Sequence, residues 1–139
     1  MQESYQHELQ EKIDKAGLHD EITFYGCTKS PMQFMQACDV VVLATERETF
    51  GLVLTEAMHV QTAVIGADRG GVLEIIDDGE SGLLFESLNA ESLAAAIEKL
   101  YNDKALLKSV SQRGQEKAQK MFANPEQLKR LSDLLKEVI

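Results

Sequence analysis

The chain has 139 residues, of which 44% are hydrophobic and 27% are charged, as expected for one globular domain. Its 14 basic and 23 acidic residues give a net charge of −9, which argues against binding to nucleic acid or to an anionic membrane surface. The sequence has no apolar stretch long enough to span a membrane, no signal-peptide pattern and no His or Cys at metal-ligand spacing. We therefore expect a protein without a metal site, in the cytoplasm or at the inner face of the membrane.

The first part of the chain predicts helices that alternate with strands. Apolar residues at helical spacing over 5–16 predict a helix that ends at Gly17, and the β-branched and aromatic run 22–25 predicts a short strand. Ser and Pro at 30–31 are typical of the cap and first turn of the next helix. The run Val-Val-Val-Leu at 40–43 is continuously apolar, as in a strand that is buried on both faces of a parallel sheet.

The same alternation continues through the second part. A helix is predicted from Leu52 to about residue 60, followed by a strand at 63–65. The Gly-Gly turn at 70–71 leads into a short helix, and 83–85 is the last predicted strand. Three further helices are predicted over 89–100, 107–121 and 124–138.

This order of elements predicts an α/β fold. Strands that are apolar throughout and alternate with helices are typical of a Rossmann-like parallel sheet with helices on both faces. Four strands are fewer than such a domain usually contains, and the chain opens on a helix. We therefore expect residues 1–139 to form a single domain that lacks its first strands.

The segment 48–56, Glu-Thr-Phe-Gly-Leu-Val-Leu-Thr-Glu, follows a predicted buried strand and opens a helix. Ligands of open parallel sheets bind at the carboxyl ends of the strands, where this segment lies. A helix start offers unpaired N–H groups and the positive end of the helix dipole, which suit a phosphate group. Gly51 has no Cβ, so that a ligand can approach the backbone.

Two glutamates in this segment are candidate site residues. Glu56 lies in the second turn of an apolar helix, and it either binds a ribose hydroxyl or simply complements the helix dipole. Glu48 lies in the preceding loop, and it either faces the transferred group or is a solvated loop acid.

The segment ETFGLVLTEAM resembles the signature of retaining family 4 glycosyltransferases (glycosyl transferases group 1), in which two Glu flank seven residues around a Phe-Gly-Leu core. The resemblance extends over about residues 20–123, with matching order and spacing. It includes the segments 24–26, 37–40, 64–65, 70–71, 74–76, 78–79, 82–84 and 93–97.

The resemblance implies a role for each residue of the signature. Glu48 would be the catalytic residue, beside the donor sugar, where it helps to stabilise charge at the reacting centre. Phe50, Gly51 and Leu52 would present backbone N–H groups to the donor sugar and diphosphate, and Glu56 would hold the ribose. The substrate would be a nucleoside diphosphate sugar, without a cofactor or metal, and the loop after residues 24–26 would border the nucleobase.

The sequence also departs from the family pattern. Gln61 and Ala63 stand where the family commonly has Gly and Pro, which puts the turn geometry there in doubt. The Arg and Lys that neutralise the donor diphosphate in the family belong to an earlier strand and loop, and Arg47 and Arg69 do not match them. The chain therefore resembles the carboxyl-terminal domain of a GT-B enzyme without its acceptor-binding domain, and we expect weak nucleotide binding and no transfer activity from it alone.

Two other interpretations stay open at this point. Besides a transferase that acts on an unidentified acceptor, the chain could belong to a nucleotide-sugar epimerase, or it could be an α/β binding module without catalytic activity. A sheet that lacks strands also exposes an apolar edge, so self-association is expected.

Overall fold

The computed structural model describes residues 2–122. Within that range the chain forms six helices and three strands. The helices are α1 (Gln2–Ala16), α2 (Pro31–Gln36), α3 (Leu52–His59), α4 (Val72–Ile75), α5 (Ala90–Asn102) and α6 (Lys104–Phe122). The strands are β1 (Val40–Leu43), β2 (Ala63–Ala67) and β3 (Leu83–Phe85). The helix predicted over 124–138 lies outside the described residues.

The three strands form one parallel sheet in the order β1-β2-β3. Val41 pairs with Val64 at one boundary, and Ile65 pairs with Leu83 at the other. Helix α3 connects β1 to β2, and α4 connects β2 to β3, so each crossover is helical as parallel pairing requires. The predicted α/β class and parallel sheet are confirmed.

Helices cover both faces of the sheet because β2 is apolar throughout. Its side chains alternate between two cores, with Val64 on one face and Ala63, Ile65 and Ala67 on the other. The first core is completed mainly by α3 and α4, and the second by α5. Helix α6 contributes to both, through Ala118 on the first face and Val110 on the second.

Close packing on the first face depends on a residue without a side chain. A Cβ placed on Gly66 of β2 would lie 2.5 Å from Val72 Cγ1, and closer than 3.0 Å real Cβ contacts essentially do not occur. Helix α4 therefore lies directly on the backbone of β2.

The prediction of a strand at 22–25 is wrong. In the structure this segment forms no helix or strand and pairs with no strand in the described part of the chain, and Ile22, Phe24 and Tyr25 are all exposed. A strand is stabilised only by a hydrogen-bonded neighbour, and a β-prone sequence cannot supply one. The Tyr25 ring packs instead against Phe34 of α2, with 4.5 Å between ring centroids.

Predicted helix ends agree with the structure more closely. Gly17 adopts a φ of 70° after α1, and the Asn89 side chain accepts a hydrogen bond of 2.9 Å from Ser92 N at the start of α5. Ser30 occupies the cap position of α2 without a side-chain cap bond, and its own N–H donates to Thr28 Oγ1. The caps of α1 and α5 were therefore correctly read from single residues.

Candidate functional site

The candidate site lies at the carboxyl edge of the sheet, where β1 and β2 end side by side. The loop after β1 carries Glu48 and leads into α3, and the loop after β2 carries the turn Gly70-Gly71. The structure thus brings the signature segment to the edge of the sheet where parallel α/β proteins bind their ligands.

Glu48 is bound to the backbone at the start of α3. Its Oε1 accepts hydrogen bonds from Gly51 N at 2.9 Å and from Phe50 N at 3.2 Å. The first turn of α3 contains no acid, so that this loop carboxylate supplies the negative charge that the helix start favours. Glu48 is therefore held in one orientation by its own chain.

These contacts also fix the charge of the site. Hydrogen bonds from the backbone stabilise the ionised form of Glu48 and hold the pKa of its carboxyl below the usual range. The bond from the Gly51 N–H has the largest effect, followed by that from the Phe50 N–H. The Thr45 hydroxyl contributes in the same direction. At neutral pH the site therefore carries a fixed negative charge, which can stabilise a cation or accept hydrogen bonds from hydroxyl groups.

Gly51 is required by the conformation of the loop as well as by its surroundings. It adopts φ 77° and ψ 41°, the left-handed region that glycine occupies without strain. A Cβ there would approach Ile75 Cδ1 to 3.1 Å, and Gly51 is itself buried. Close approach of a ligand is thus not the only reason for a glycine at this position.

The backbone N–H groups of the signature segment are only partly available. Those of Phe50 and Gly51 donate to Glu48, whereas those of Leu52 and Val53 lie in the first turn of α3 and have no acceptor within the helix. The prediction that Phe50, Gly51 and Leu52 all present N–H groups to a donor stays a prediction.

Glu56 lines a cleft of about 270 Å³ between α2 and α3. Met32 of α2 forms one wall, and Leu52, Thr55, Glu56 and His59 of α3 line the rest. Glu56 is exposed, while Thr55 is buried with its hydroxyl bonded to the Leu52 carbonyl at 2.7 Å. The cleft therefore offers a solvent-accessible carboxylate beside apolar surface, which can accept hydrogen bonds from the hydroxyl groups of a ligand.

Sequence reasoning did not include Met32 or His59 in the site. His59 lies three residues after Glu56 and hence on the same face of α3, so helical spacing alone could have indicated it. Met32 comes from a separate helix, and only the packing of α2 on α3 brings it to the cleft. The segment 24–26, which precedes the loop predicted to border a nucleobase, lines a different cleft together with α1, and it reaches α2 through Tyr25.

Two further observations concern metals and membranes. Over residues 2–122, no three His, Cys, Asp or Glu side chains come close enough together to hold a metal ion. In the same range, no helix has the combination of length and apolar character that crossing a bilayer demands.

A parallel sheet with helices on both faces, and with a loop that opens a helix at its carboxyl edge, defines a Rossmann-like α/β domain, the class of fold in which ligands bind at that edge. Residues 2–117 match the family described as glycosyl transferases group 1, and the chain belongs to that family.

The relatives of this chain are enzymes of greater length. It is 36% identical over 97 residues to the D-inositol 3-phosphate glycosyltransferase of Paenarthrobacter aurescens (strain TC1), covering 68% of this chain and 24% of the relative. It spans between 24% and 34% of the length of three curated relatives that it matches.

Solved structures support the same assignment. Alr3699/HepE of Anabaena, in complex with UDP, is similar with a TM-score of 0.86 at 28% identity, over 94% of this chain and 37% of that one. The carboxyl-terminal domain of a glycosyl transferase group 1 family protein (LpcC) from Francisella tularensis is similar with a TM-score of 0.76 at 30% identity, over 88% of this chain and 64% of that one. The fold therefore corresponds to part of a GT-B glycosyltransferase, as the resemblance implied.

Proposed function

We propose that this chain is the nucleotide-sugar-binding part of a retaining glycosyltransferase, which transfers a hexose from a nucleoside diphosphate sugar to an acceptor. The observation that carries the proposal is the placement of Glu48 on the N–H groups of Phe50 and Gly51, at the carboxyl edge of the sheet and at the start of α3. A relative solved with UDP and with UDP-glucose supports a uridine nucleotide as the donor.

In this proposal each residue of the signature has a distinct role. Glu48 is catalytic: its ionised carboxylate lies beside the donor sugar and stabilises positive charge that develops at the reacting carbon. Leu52 is the first residue of α3, and its N–H faces the donor. Phe50 and Gly51 bring their backbone to the donor as well, and their N–H groups bind it only by giving up their bonds to Glu48. Glu56 accepts hydrogen bonds from the ribose hydroxyls in the cleft that it lines.

We also propose that the whole protein supplies what this domain lacks. Strand β1 pairs with β2 on one side, and none of the described residues pairs with its other side. Strands from elsewhere in a longer protein would pair with that side. An acceptor-binding domain and cationic side chains for the diphosphate would complete the enzyme, which we place in the cytoplasm.

The chain alone tests the binding part of the proposal. Calorimetric titration of the 139-residue protein with UDP is expected to give weak binding, with a dissociation constant near 1 mM, equivalent to about −4 kcal/mol. Glu56→Gln is expected to weaken binding about tenfold, because a hydrogen bond to a charged group contributes about 1.5–3 kcal/mol. Glu98→Gln in α5 makes the same change in net charge away from the cleft and should leave the affinity unchanged.

The outcomes distinguish the candidates. Folded protein that does not bind UDP at millimolar concentration would contradict the proposal and favour a binding module without this chemistry. For the whole protein, consumption of a UDP-sugar that requires an acceptor and retains the anomeric configuration is expected. Conversion of the donor into a sugar isomer without an acceptor would indicate an epimerase instead.

The proposal excludes a metal requirement. Transfer by the whole protein is expected to continue at the same rate after treatment with EDTA. In the proposal, the start of α3 and the cationic side chains of the whole protein offset the charge of the diphosphate without a metal ion. Loss of activity on chelation, restored by a divalent cation, would contradict this part.

A further inference from the structure

The turn Gly70-Gly71 lies in direct contact with the backbone of the Glu48 loop. Gly71 N donates a hydrogen bond of 3.2 Å to the Glu48 carbonyl. A Cβ on Gly70 would lie 2.3 Å from that same carbonyl oxygen. A Cβ on Gly71 would lie 2.3 Å from the Thr49 carbonyl oxygen and 2.8 Å from Phe50 Cα. All three distances are shorter than real Cβ contacts, so neither position has room for a side chain.

The two glycines differ in what their conformation demands. Gly70 adopts a φ of 57°, which alone favours glycine. Gly71 adopts φ −64° and ψ −15°, which alanine adopts readily. At Gly71, therefore, only the neighbouring backbone of residues 49–50 excludes a side chain.

The contacted backbone is the part of the loop that aims the Glu48 side chain. Its carboxylate bonds to Phe50 N and Gly51 N. The Thr49 carbonyl, which lies against Gly71, shares a planar peptide unit with Phe50 N, so its position sets the direction of that N–H. Helix α4, which starts at the turn, contacts the loop again through Ile75 beside Gly51. The turn and α4 thus both contact the part of the loop that leads into α3.

We propose that Gly70 and Gly71 are positioning residues, which hold the Glu48 loop against the end of β2 and so orient the Glu48 carboxylate. The role in donor binding rests on the proposed function, but the contact and its effect on Glu48 do not. Neither glycine touches the substrate in this proposal, and each acts through the backbone of residues 48–50.

The test compares Gly71→Ala with Gly114→Ala in the 139-residue protein. Gly114 of α6 is a matched control, because a Cβ there would lie 2.9 Å from the Ser81 carbonyl oxygen on a different surface. The measurement is the NMR pH titration of the Phe50 and Gly51 amide protons, which follow ionisation of Glu48 when its carboxylate is their acceptor. We expect Gly71→Ala to abolish this titration and Gly114→Ala to retain it.

A folded Gly71→Ala protein whose two amide protons titrate as in the wild type would overturn the proposal. Affinity for UDP is a separate measurement, expected to fall about tenfold in Gly71→Ala, which corresponds to about 1.4 kcal/mol. Wild-type protein with the expected amide titration but no UDP binding would contradict the proposed function and leave the positioning role intact.

If Gly71→Ala does not fold, amide hydrogen exchange of the wild-type protein tests whether the turn holds the Glu48 loop. The Gly71 amide is buried and bonded to the Glu48 carbonyl, so its exchange is expected to be at least tenfold slower than that of an unstructured peptide. Exchange at the unstructured rate would show that the turn does not hold the loop and would overturn the proposal.

Discussion

The Thr62 hydroxyl donates a hydrogen bond of 2.9 Å to the Met35 carbonyl, 27 residues earlier in the chain. Thr62 precedes β2, and Met35 lies in the last turn of α2. Both side chains are buried, so the bond fastens α2 to the sheet where solvent does not compete. Because Met32 of the same helix forms a wall of the Glu56 cleft, this bond also fixes the shape of the candidate site.

Thr62→Val is expected to lower the free energy of unfolding by about 1 kcal/mol, the usual contribution of an intramolecular hydrogen bond. The substitution keeps the shape of the side chain, and the Met35 carbonyl keeps its second bond, from Cys38 N. Urea unfolding at pH 7 measures the effect. Thr62→Ser retains the hydroxyl and should be closer to the wild type; the reverse order would show that packing, and not the bond, matters here.

Gln61→Gly is expected to stabilise the protein by about 0.5–1 kcal/mol. Gln61 follows α3 with a φ of 64°, and the N–H groups of residues 61 and 62 close a Schellman motif on the carbonyls of Met58 and Ala57. A left-handed conformation costs a residue with a Cβ about 1–2 kcal/mol, which the added flexibility of glycine in the unfolded chain partly offsets. Gln61→Ala keeps the Cβ and should show no such gain in thermal unfolding.

The same position shows how the departure from the family pattern is accommodated. Gln61 adopts the left-handed conformation that glycine favours, and the hydrogen bonds of the turn are formed. The substitution therefore strains the backbone at Gln61 but leaves the course of the turn unchanged.

Asn89→Ala is expected to lower the free energy of unfolding by about 1 kcal/mol, because it removes an N-cap bond. The Asn89 side chain accepts from Ser92 N at 2.9 Å and donates to Glu86 Oε2 at 2.6 Å. Asn89→Ser can still cap α5 and serves as the control in urea unfolding. Equal losses in both variants would assign the effect to the Glu86 contact.

Glu48→Gln is expected to destabilise the protein at neutral pH and to have less effect in acid. The folded-state pKa of Glu48 lies below the ordinary 4.5, so ionised Glu48 contributes stability above that value, and the contribution is lost as the pH falls through the lowered pKa. Urea unfolding at pH 7 and at successively lower pH measures the difference between wild type and variant. Glu46→Gln removes the same charge from the same loop, and a matching pH profile in that variant would contradict a specific role for Glu48.

One side of β1 is unpaired among residues 2–122, which predicts self-association of the isolated chain. The strand is apolar, Val42 is exposed, and unpaired strand edges readily pair with another chain. Light scattering is expected to show dimers that increase with protein concentration. A clean monomer at high concentration would contradict this prediction.

The sequence predicted the elements whose evidence is local. Continuous apolar runs identified all three strands of the sheet, and Gly17 and Asn89 marked helix ends through their own backbone and side-chain preferences. The segment 22–25 failed because its composition favours a strand, but pairing depends on a distant neighbour.

The candidate site likewise contains features that the local sequence predicts and features that depend on distant contacts. Glu48 lies in the loop before α3 and Glu56 in its second turn, as the sequence indicated, while their roles stay predictions. The contact of Gly71 with the Glu48 loop could not be predicted from composition, because it joins loops that follow two different strands. The acceptor of the Phe50 and Gly51 N–H groups was likewise set by the path of the loop.

The close packing of Val72 on Gly66 makes these two positions dependent on each other. Alanine at 66 should be tolerated only when residue 72 is reduced as well, because the added methyl group needs the volume that Val72 Cγ1 occupies. The double variant Gly66→Ala, Val72→Ala should then be more stable than the sum of its single changes implies. Engineering of this domain would have to treat the strand and the short helix as one unit of sequence.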